Sequence, residues 1–200
     1  TSDSNTYVGA FSGQYNNGFG NTAIGHDSGR GSGASNMPTG SYNVSLGYEA
    51  MEFADSTGSY NIAAGYRALR NLETGSYNIT LGDKAAESLT TGTANIALGY
   101  RALYNNIGGN NTIAIGRQSF QTQTPASDGT EMYNIGLGAY SGKNTTVGVR
   151  NIFIGYQAGQ ANTEGSKAVA LGYQALFVQN PSGATDTYNI GIGERAAFSL

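Results

Sequence analysis

Apolar residues and glycines recur along the chain with a base period of 17 residues. Aligned on one glycine, the sequence divides into eleven units, and we call these residues the repeat glycines: Gly9, Gly25, Gly47, Gly65, Gly82, Gly99, Gly116, Gly138, Gly155, Gly172 and Gly193. Their successive spacings are 16, 22, 18, 17, 17, 17, 22, 17, 17 and 21 residues. A repeat of this length predicts a solenoid in which each unit forms one coil.

Aliphatic residues occupy the positions one and three residues before most repeat glycines. The position one before holds Val8, Ile24, Leu46, Ala64, Leu81, Leu98, Ile115, Leu137, Ile154, Leu171 and Ile192. The position three before holds Thr6, Thr22, Val44, Ile62, Ile79, Ile96, Ile113, Ile135, Ile152, Val169 and Ile190. Side chains two residues apart lie on the same side of a strand, so this spacing predicts a short strand before each glycine with its β-branched residues on one face.

Small residues follow each repeat glycine at a constant distance. Every unit has Ala or Ser three residues after the glycine: Ser12, Ser28, Ala50, Ala68, Ala85, Ala102, Ser119, Ser141, Ala158, Ala175 and Ala196. A small residue at this position is expected where the chain turns a corner and adjacent coils leave little room for a side chain. Each unit is therefore predicted to hold a strand, a tight corner, a second short extended or turn segment and a polar return. Helix is the competing interpretation for stretches such as YRALRN, but these are only a turn or two long.

Asparagine stands four residues before the repeat glycine in nine of the eleven units: Asn5, Asn21, Asn43, Asn61, Asn78, Asn95, Asn134, Asn151 and Asn189. We interpret this array as a structural ladder in which the amides cap turns or stack between coils. A glycan or metal role for the same array is the alternative.

One unit buries too few aliphatic side chains to offset the entropy of ordering it, so each coil must be stabilised by its neighbours. The interior is expected to be thin, because Ala, Gly and Ser occupy many inward positions. We expect association of several rods to bury a remaining apolar stripe of Met51, Leu69, Leu103, Phe120 and Leu176. The sequence thus predicts an all-β solenoid of about eleven coils, with residues 1–200 forming a single repetitive domain.

Composition narrows the possible functions. The net charge is −3 and no segment concentrates Lys or Arg, which argues against nucleic-acid binding. There is no cysteine, which excludes disulfide scaffolds and thiol chemistry. No apolar run approaches the roughly 20 residues of a membrane span, so we predict no membrane insertion by this segment. The chain starts directly within a repeat, and we expect it to be a fragment of a longer fibre protein.

Two units carry a resemblance to a known family: NTIAIGRQS (Asn111 to Ser119) and SKAVALGYQA (Ser166 to Ala175). They resemble the head-domain repeats of trimeric autotransporter adhesins of the YadA type. Units such as NIALGYRALYNN and NIFIGYQAG are also similar to Asn-Thr-Ala-Ile-Gly repeats of phage tail fibres and bacterial surface fibres. The resemblance implies a left-handed parallel β-roll, a homotrimeric fibre, an extracellular location on a cell surface or virion, and adhesion to a host or prey cell-surface glycan or protein.

The predicted function is that of a non-enzymatic adhesive fibre segment without a cofactor. A polysaccharide-degrading tail-spike segment and a purely structural spacer are the alternatives. His26 beside Asp27 and Ser28 suggests a nucleophile and base, but these residues fall at variable repeat positions. The close acid pairs Glu49/Glu52 and Asp83/Glu87 are the candidates for glycoside hydrolysis. The calcium-binding solenoid and EF-hand patterns are missing, so no metal site is predicted.

Two sets of residues are candidates for ligand contact. Insertions in solenoids form loops that often bind ligands, and the long units here place the following residues in such loops: Asn36, Met37, Pro38, Thr124, Pro125, Asp128, Asn180, Pro181 and Asp186. Tyrosines also recur directly after the repeat glycine: Tyr48, Tyr66, Tyr100, Tyr156 and Tyr173. Their amphipathic rings suit a contact surface, and a packing ladder along the fibre is the alternative interpretation.

Overall fold

The computed structural model describes residues 4–33, 37–52, 57–179, 183 and 185–199. Asn36, Asn180 and Pro181 of the candidate loops lie outside these residues. These described residues form eleven strands of three residues each: β1 Thr6–Val8, β2 Thr22–Ile24, β3 Val44–Leu46, β4 Ile62–Ala64, β5 Ile79–Leu81, β6 Ile96–Leu98, β7 Ile113–Ile115, β8 Ile135–Leu137, β9 Ile152–Ile154, β10 Val169–Leu171 and β11 Ile190–Ile192.

All eleven strands form one parallel sheet in sequence order. Equivalent repeat positions pair directly, so Ile79 of β5 lies between Ile62 of β4 and Ile96 of β6. The predicted all-β parallel solenoid is therefore confirmed, and the described residues contain no helix. Turns rather than a second strand connect each strand to the next coil.

The turns depend on non-glycine residues with left-handed backbone conformation. In a typical coil these lie five residues before the repeat glycine and two and four residues after it, as at Ala94, Arg101 and Leu103, with φ of 58°, 52° and 57°. Such corners cost of order 1–2 kcal/mol each and persist because the next coil holds them. The amide of Leu103, for example, donates to the carbonyl of Ser119 at 3.0 Å.

The repeat glycines stand where coils approach most closely. Gly99 has a φ of 128°, and a Cβ built on it would lie 2.8 Å from the carbonyl carbon and oxygen of Gly116. The same relation links Gly82 to Gly99 and Gly116 to Gly138. Only glycine therefore fits this position, because both the backbone conformation and the adjacent backbone exclude a side chain.

The core of each coil holds the middle residue of the strand and the residues three and four after the repeat glycine. Ala97, Ala102 and Leu103 are all fully buried. Small residues at inward strand positions were predicted, and they are confirmed at Ala63, Ala97 and Ala114.

The expected stripe for association between rods was wrong. Its five members are buried within the single chain, with at most 4% exposed: Met51, Leu69, Leu103, Phe120 and Leu176. The left-handed conformation of these positions turns their side chains inward, as at Leu69 with a φ of 54°. They fill the space that the small strand residues leave.

A large side chain in the core packs against a small residue at the neighbouring inward position, in the same coil or in the next one. Where the strand centre is Gly136, the space is taken by Phe120 of the preceding coil, whose ring lies 2.7 Å from a Cβ built on that glycine. Where the strand centre is Phe153, the position four after the repeat glycine is Gly159, and its added Cβ would lie 2.7 Å from the Phe153 ring. A large residue at one position thus accompanies a small one at the other.

The asparagines form the predicted ladder. The Asn78 side-chain oxygen accepts a hydrogen bond from the Asn95 backbone amide at 2.9 Å, and its side-chain nitrogen donates to the Gly92 carbonyl at 2.9 Å. Asn61 makes the same pair of contacts with Asn78 and Gly75. These side chains are fully buried. Their amide groups therefore supply the hydrogen-bond partners that water would otherwise provide to backbone groups left unpaired by the turns.

Gln123 bridges the ladder where Thr112 replaces asparagine. Its side-chain nitrogen donates to the Thr112 hydroxyl at 2.9 Å, and its side-chain oxygen accepts from the Asn134 amide at 3.1 Å. Where Ala168 replaces asparagine, its backbone amide still donates to the Asn151 side-chain oxygen at 2.9 Å, and the Gln179 side-chain oxygen accepts from the Asn189 amide at 3.3 Å. The ladder therefore continues through units whose sequence lacks the asparagine.

Candidate functional site

The outer surface of the sheet is the most unusual part of the molecule. The aliphatic residues one and three before each repeat glycine point outward, and we call them the aliphatic columns. Within them Ile24, Ile79, Leu81 and Leu171 are each 37–43% exposed. The sequence pattern placed these residues on one side of the strand, but it did not show that this side faces solvent.

Two further exposed columns flank the aliphatic ones. The leading column lies five residues before the repeat glycine and comprises Tyr42, Tyr60, Tyr77, Ala94, Asn111, Tyr133, Arg150, Lys167 and Tyr188. The trailing column lies directly after the repeat glycine and comprises His26, Tyr48, Tyr66, Asp83, Tyr100, Arg117, Ala139, Tyr156, Tyr173 and Glu194. Together the four columns form a surface that we call the strand face.

The strand face is a large uncovered surface with an apolar centre. Ten strand spacings of ~4.8 Å and six residues of ~3.3 Å give it dimensions of about 50 by 20 Å, or on the order of 1,000 Å². The aliphatic columns are its apolar part, and the flanking columns also hold charged residues such as Asp83, Arg117 and Arg150. An area of this size is comparable with the ~800 Å² that each partner buries in a standard protein interface.

The candidate tyrosines lie in the trailing column and stack on their neighbours. Tyr48 stacks on Tyr66 at 5.8 Å between ring centroids, and Tyr156 stacks on Tyr173 at 5.5 Å. Tyr100 lies between Asp83 and Arg117, and the Arg117 guanidinium sits 5.8 Å from its ring centroid. Stacking covers ring faces and leaves ring edges and hydroxyls outward, which favours the packing-ladder interpretation over a row of open aromatic platforms.

The candidate loop residues differ in accessibility. Met37, Thr124, Asp128 and Asp186 are exposed, Pro125 is half-buried, and the Pro38 side chain is buried. The three long insertions fall in the same part of the repeat sequence, between the residues of the corner and those of the strand. Asp186 forms an ion pair with Lys167 at 2.6 Å.

The acid pair Glu49 and Glu52 belongs to an ion cluster with Arg67 and Arg70. Arg67 lies 2.6 Å from Glu49, and Arg70 lies 3.0 Å from Glu52. Burial acts to raise the pKa of Glu49, but hydrogen bonds from Arg67 and Tyr48 and the charge of Arg70 bring it below its usual value. Burial raises the pKa of Glu52, partly offset by Arg70. Both carboxylates are thus engaged by arginines rather than opposed across a cleft.

The other sequence candidates for chemistry are also accounted for by local contacts. His26 stacks on Tyr48 at 5.3 Å and lies 2.8 Å from Asp27. The Ser28 hydroxyl instead points into the core, where it donates to the Ser45 carbonyl at 2.9 Å. Asp83 is exposed in the trailing column, while Glu87 is buried. The structure therefore does not bring His26 and Ser28 together as a nucleophile and base.

Among the described residues, no group of three or more His, Cys, Asp or Glu side chains could hold a metal ion. That part of the chain also has no helix long and apolar enough to cross a membrane. The sequence matches no protein-family model, and no match was found among curated proteins or solved structures.

Proposed function

We propose that this chain is a non-enzymatic segment of an extracellular adhesive fibre, assembled as a homotrimer on a cell surface or in a virion tail. The observation that carries the proposal is the outward orientation of the aliphatic columns in a coil whose core is already filled. In a single chain, aliphatic residues such as Ile79 and Leu81 leave 37% and 40% of their surfaces in contact with water. Association with further copies removes them from it.

A long ladder of identical coils suits the mechanical part of this role. Each coil is joined to the next by strand pairs, by glycine contacts and by buried asparagines, and none of these elements requires a ligand. The loops, with exposed Thr124 and Asp128, supply the variable surface that such a fibre presents to a glycan or protein. Several equivalent copies in one fibre multiply weak contacts through avidity.

Assembly is tested by native mass measurement of the unmodified chain and of a variant carrying Ile96→Arg and Ile113→Arg. We expect three chains for the unmodified protein and one for the variant, with the same circular dichroism. Ile107→Arg is the matched control, because Ile107 is 49% exposed but lies outside the strand face. A single-chain mass for the unmodified protein at micromolar concentration contradicts the proposal.

Ligand presentation is tested separately on a glycan array. We expect binding that is lost when residues 124–128 are replaced by a Gly-Ser loop of equal length, while the native mass stays unchanged. Equal binding by both proteins argues against this loop. Appearance of new reducing ends after incubation with surface polysaccharide overturns the non-enzymatic assignment in favour of a degrading tail-spike segment.

A further inference from the structure

Three cations from successive coils lie where the chain turns after the repeat glycines Gly99, Gly116 and Gly138. Tyrosines surround them, and we call the six residues the basic corner: Tyr100, Arg101, Tyr104, Arg117, Tyr140 and Lys143. The cations are far apart in the sequence, so no single segment concentrates them. Stacking of the coils brings them within two coil steps, or about 10 Å along the solenoid at ~4.8 Å per step.

Cation–π contacts link the basic corner into one continuous row. The Arg101 guanidinium lies 5.2 Å from the ring centroid of Tyr100. The Arg117 guanidinium lies 5.8 Å from the Tyr100 centroid and 5.6 Å from the Tyr140 centroid. The Lys143 ammonium lies 5.4 Å from the same Tyr140 centroid. The rings hold these flexible cationic side chains in place, so less rotamer freedom is lost when a ligand binds.

The cations of the basic corner lack the carboxylate partners that other arginines have. Arg67, two coils earlier, lies 2.6 Å from Glu49. By contrast, Arg101, Arg117 and Lys143 form no ion pair within the described part of the chain. The Nε atom of Arg101 is also buried, and it has no hydrogen-bond partner among those residues. Partial burial of a cation without a counter-charge is unfavourable, and a bound anion offsets it.

The other coils either balance or lack such charges at the five positions after the repeat glycine. In the second to fifth coils, these positions hold acids as well as cations. In the first, ninth and tenth coils they carry no charge, and in the last coil they carry one charge of each sign. Uncompensated positive charge is therefore confined to the three coils of the basic corner.

The basic corner continues into the candidate loop of the seventh coil. The Thr122 hydroxyl donates to the Lys143 carbonyl at 2.8 Å, and the Thr124 amide donates to the Thr146 carbonyl at 3.1 Å. The beginning of the loop is thus held against the coil that carries Lys143. A ligand on the basic corner therefore lies next to residues 124–128.

We infer that the basic corner binds an acidic glycan, whose carboxylate or sulfate groups contact Arg101, Arg117 and Lys143. Guanidinium groups present paired donors that match the oxygens of such anions, and the tyrosine hydroxyls can donate to further sugar oxygens. Cations repeated at coil steps suit a chain of sugars that carries repeated negative charges. The site rests on the glycan recognition proposed above and specifies the class of glycan.

Single-stranded nucleic acid is another polyanion that cations and aromatic rings can bind, but it fits this surface less well. Proteins hold single strands by stacking bases on open ring faces. In the basic corner, cations already lie over the rings of Tyr100 and Tyr140. A glycan needs only the ring edges and hydroxyl groups that remain outward, so the arrangement favours a glycan.

Calorimetric titration of the protein with defined probes tests the site. The acidic probes are a heparin oligosaccharide with both anionic groups, oligogalacturonate with carboxylates only and dextran sulfate with sulfates only. Neutral dextran and a single-stranded DNA oligonucleotide are the comparison probes. The corner variant carries Arg101→Gln and Arg117→Gln. The control variant carries Arg150→Gln and Arg195→Gln, which remove the same charge at two exposed arginines outside the basic corner.

We expect the heparin oligosaccharide and at least one other acidic probe to bind, and neutral dextran not to bind. The carboxylate and sulfate probes show which anionic group the basic corner takes. The corner variant should bind at least about tenfold more weakly, because it loses two charge-assisted contacts, whereas the control variant should bind like the parent. Added salt should weaken binding to the parent.

Equal losses in the two variants would show a diffuse attraction and overturn the site, as would the absence of binding to every acidic probe. Tighter binding of the DNA oligonucleotide assigns the basic corner to nucleic acid instead. Circular dichroism checks the fold of each variant. If the corner variant is unfolded, arginine-specific labelling of the unmodified protein decides the question, since the heparin oligosaccharide must protect Arg117 and leave the exposed Arg150 reactive.

Failure of this site and failure of the proposed function give different results. A single-chain native mass with corner-dependent binding of acidic probes refutes only the association. Corner-dependent binding that survives replacement of residues 124–128 refutes only the role of the loop. A three-chain mass with loop-dependent binding of other glycans, but no binding of acidic probes, refutes the basic corner alone.

Discussion

At the scale of single residues, the coil depends on two kinds of unusual backbone. Corners such as Arg101 and Leu103 use left-handed conformations that residues without a branched Cβ adopt at modest cost, and neighbouring coils hold them in place. The repeat glycines adopt φ near 130°, where a side chain is excluded by the residue's own backbone and by the next coil. Tolerance to substitution should therefore differ sharply between the two kinds of position.

Replacement of Gly99 by alanine tests this difference. We expect Gly99→Ala to lower the free energy of unfolding by about 3 kcal/mol or more, because the new Cβ meets the Gly116 carbonyl in a conformation that already disfavours alanine. Gly129→Ala is the control, since Gly129 has a φ of 76° but no atom within 4 Å of the built Cβ, and should cost only about 1 kcal/mol. Urea denaturation followed by circular dichroism measures both, and equal losses would refute the steric argument.

The ion cluster predicts a pH dependence at Glu49. Because its pKa is lowered in the folded chain, its stabilising contribution is present above the ordinary value of 4.5 and is lost as the pH falls through the folded pKa. Glu49→Gln should therefore lower the free energy of unfolding by roughly 1–3 kcal/mol at pH 7 and by progressively less below pH 4.5.

Glu52 gives the opposite sign and serves as the comparison. The pKa of Glu52 is raised in the folded chain, so its ionisation lowers the free energy of unfolding. As the pH falls through that raised pKa, the free energy of unfolding of the parent should therefore rise relative to that of Glu52→Gln. Denaturation curves at several pH values decide the matter. A Glu49→Gln effect that does not change with pH would show that the ion pairs contribute nothing.

At the scale of the coil, two inward positions share one volume. Phe153 in the strand accompanies Gly159 at the corner, whereas Ala97 accompanies Leu103. A large side chain at either position packs against a small one at the other, and the coil with Gly136 and Gly142 is filled by Phe120 of the preceding coil. A coil should therefore accept exchange of the two sizes but not a change in one alone.

The exchange can be made at Phe153 and Gly159. Phe153→Ala alone should cost about 3–5 kcal/mol by leaving a cavity. Gly159→Leu alone should cost at least about 3 kcal/mol, since its Cβ would lie 2.7 Å from the Phe153 ring. The double variant reproduces the Ala97 and Leu103 pattern and should recover to within about 1.5 kcal/mol of the parent. Additive losses in a double-mutant cycle would show that the positions do not share a volume.

Sequence periodicity predicted the strands and their partners because each unit repeats the same chemistry. Ile62, Ile79 and Ile96 pair as the repeat glycines imply. Periodicity did not predict which apolar column lies inside. The positions of Leu69 and Ile79 both hold apolar residues in most units. Only the side chain of Leu69 points inward, because its backbone has a left-handed conformation. The sequence does not reveal this conformation, since the residue is not glycine. The outward strand face was missed for the same reason.

At the scale of the whole molecule, the coil has a complete core and an uncovered apolar face, and these two facts require different explanations. The core, the glycine contacts and the asparagine ladder account for stability along the solenoid. The aliphatic columns add to it only through the part of each side chain that neighbouring coils cover, and the remaining exposed part contributes stability only when another copy covers it. Stability of this protein should therefore have one component that is intrinsic and one that depends on concentration.

Thermal unfolding at different concentrations separates these components. If three folded chains associate and the unfolded chains do not, each tenfold rise in concentration adds about 0.9 kcal/mol per chain to the free energy of unfolding. This is two thirds of the ~1.4 kcal/mol that a factor of ten represents, and the midpoint temperature rises with it. The Ile96→Arg and Ile113→Arg variant should unfold at one midpoint at all concentrations, while Ile107→Arg should behave like the parent. A parent midpoint that stays constant over a hundredfold range would mean that the strand face remains in water, and the reason for its aliphatic columns would then have to lie in a different partner.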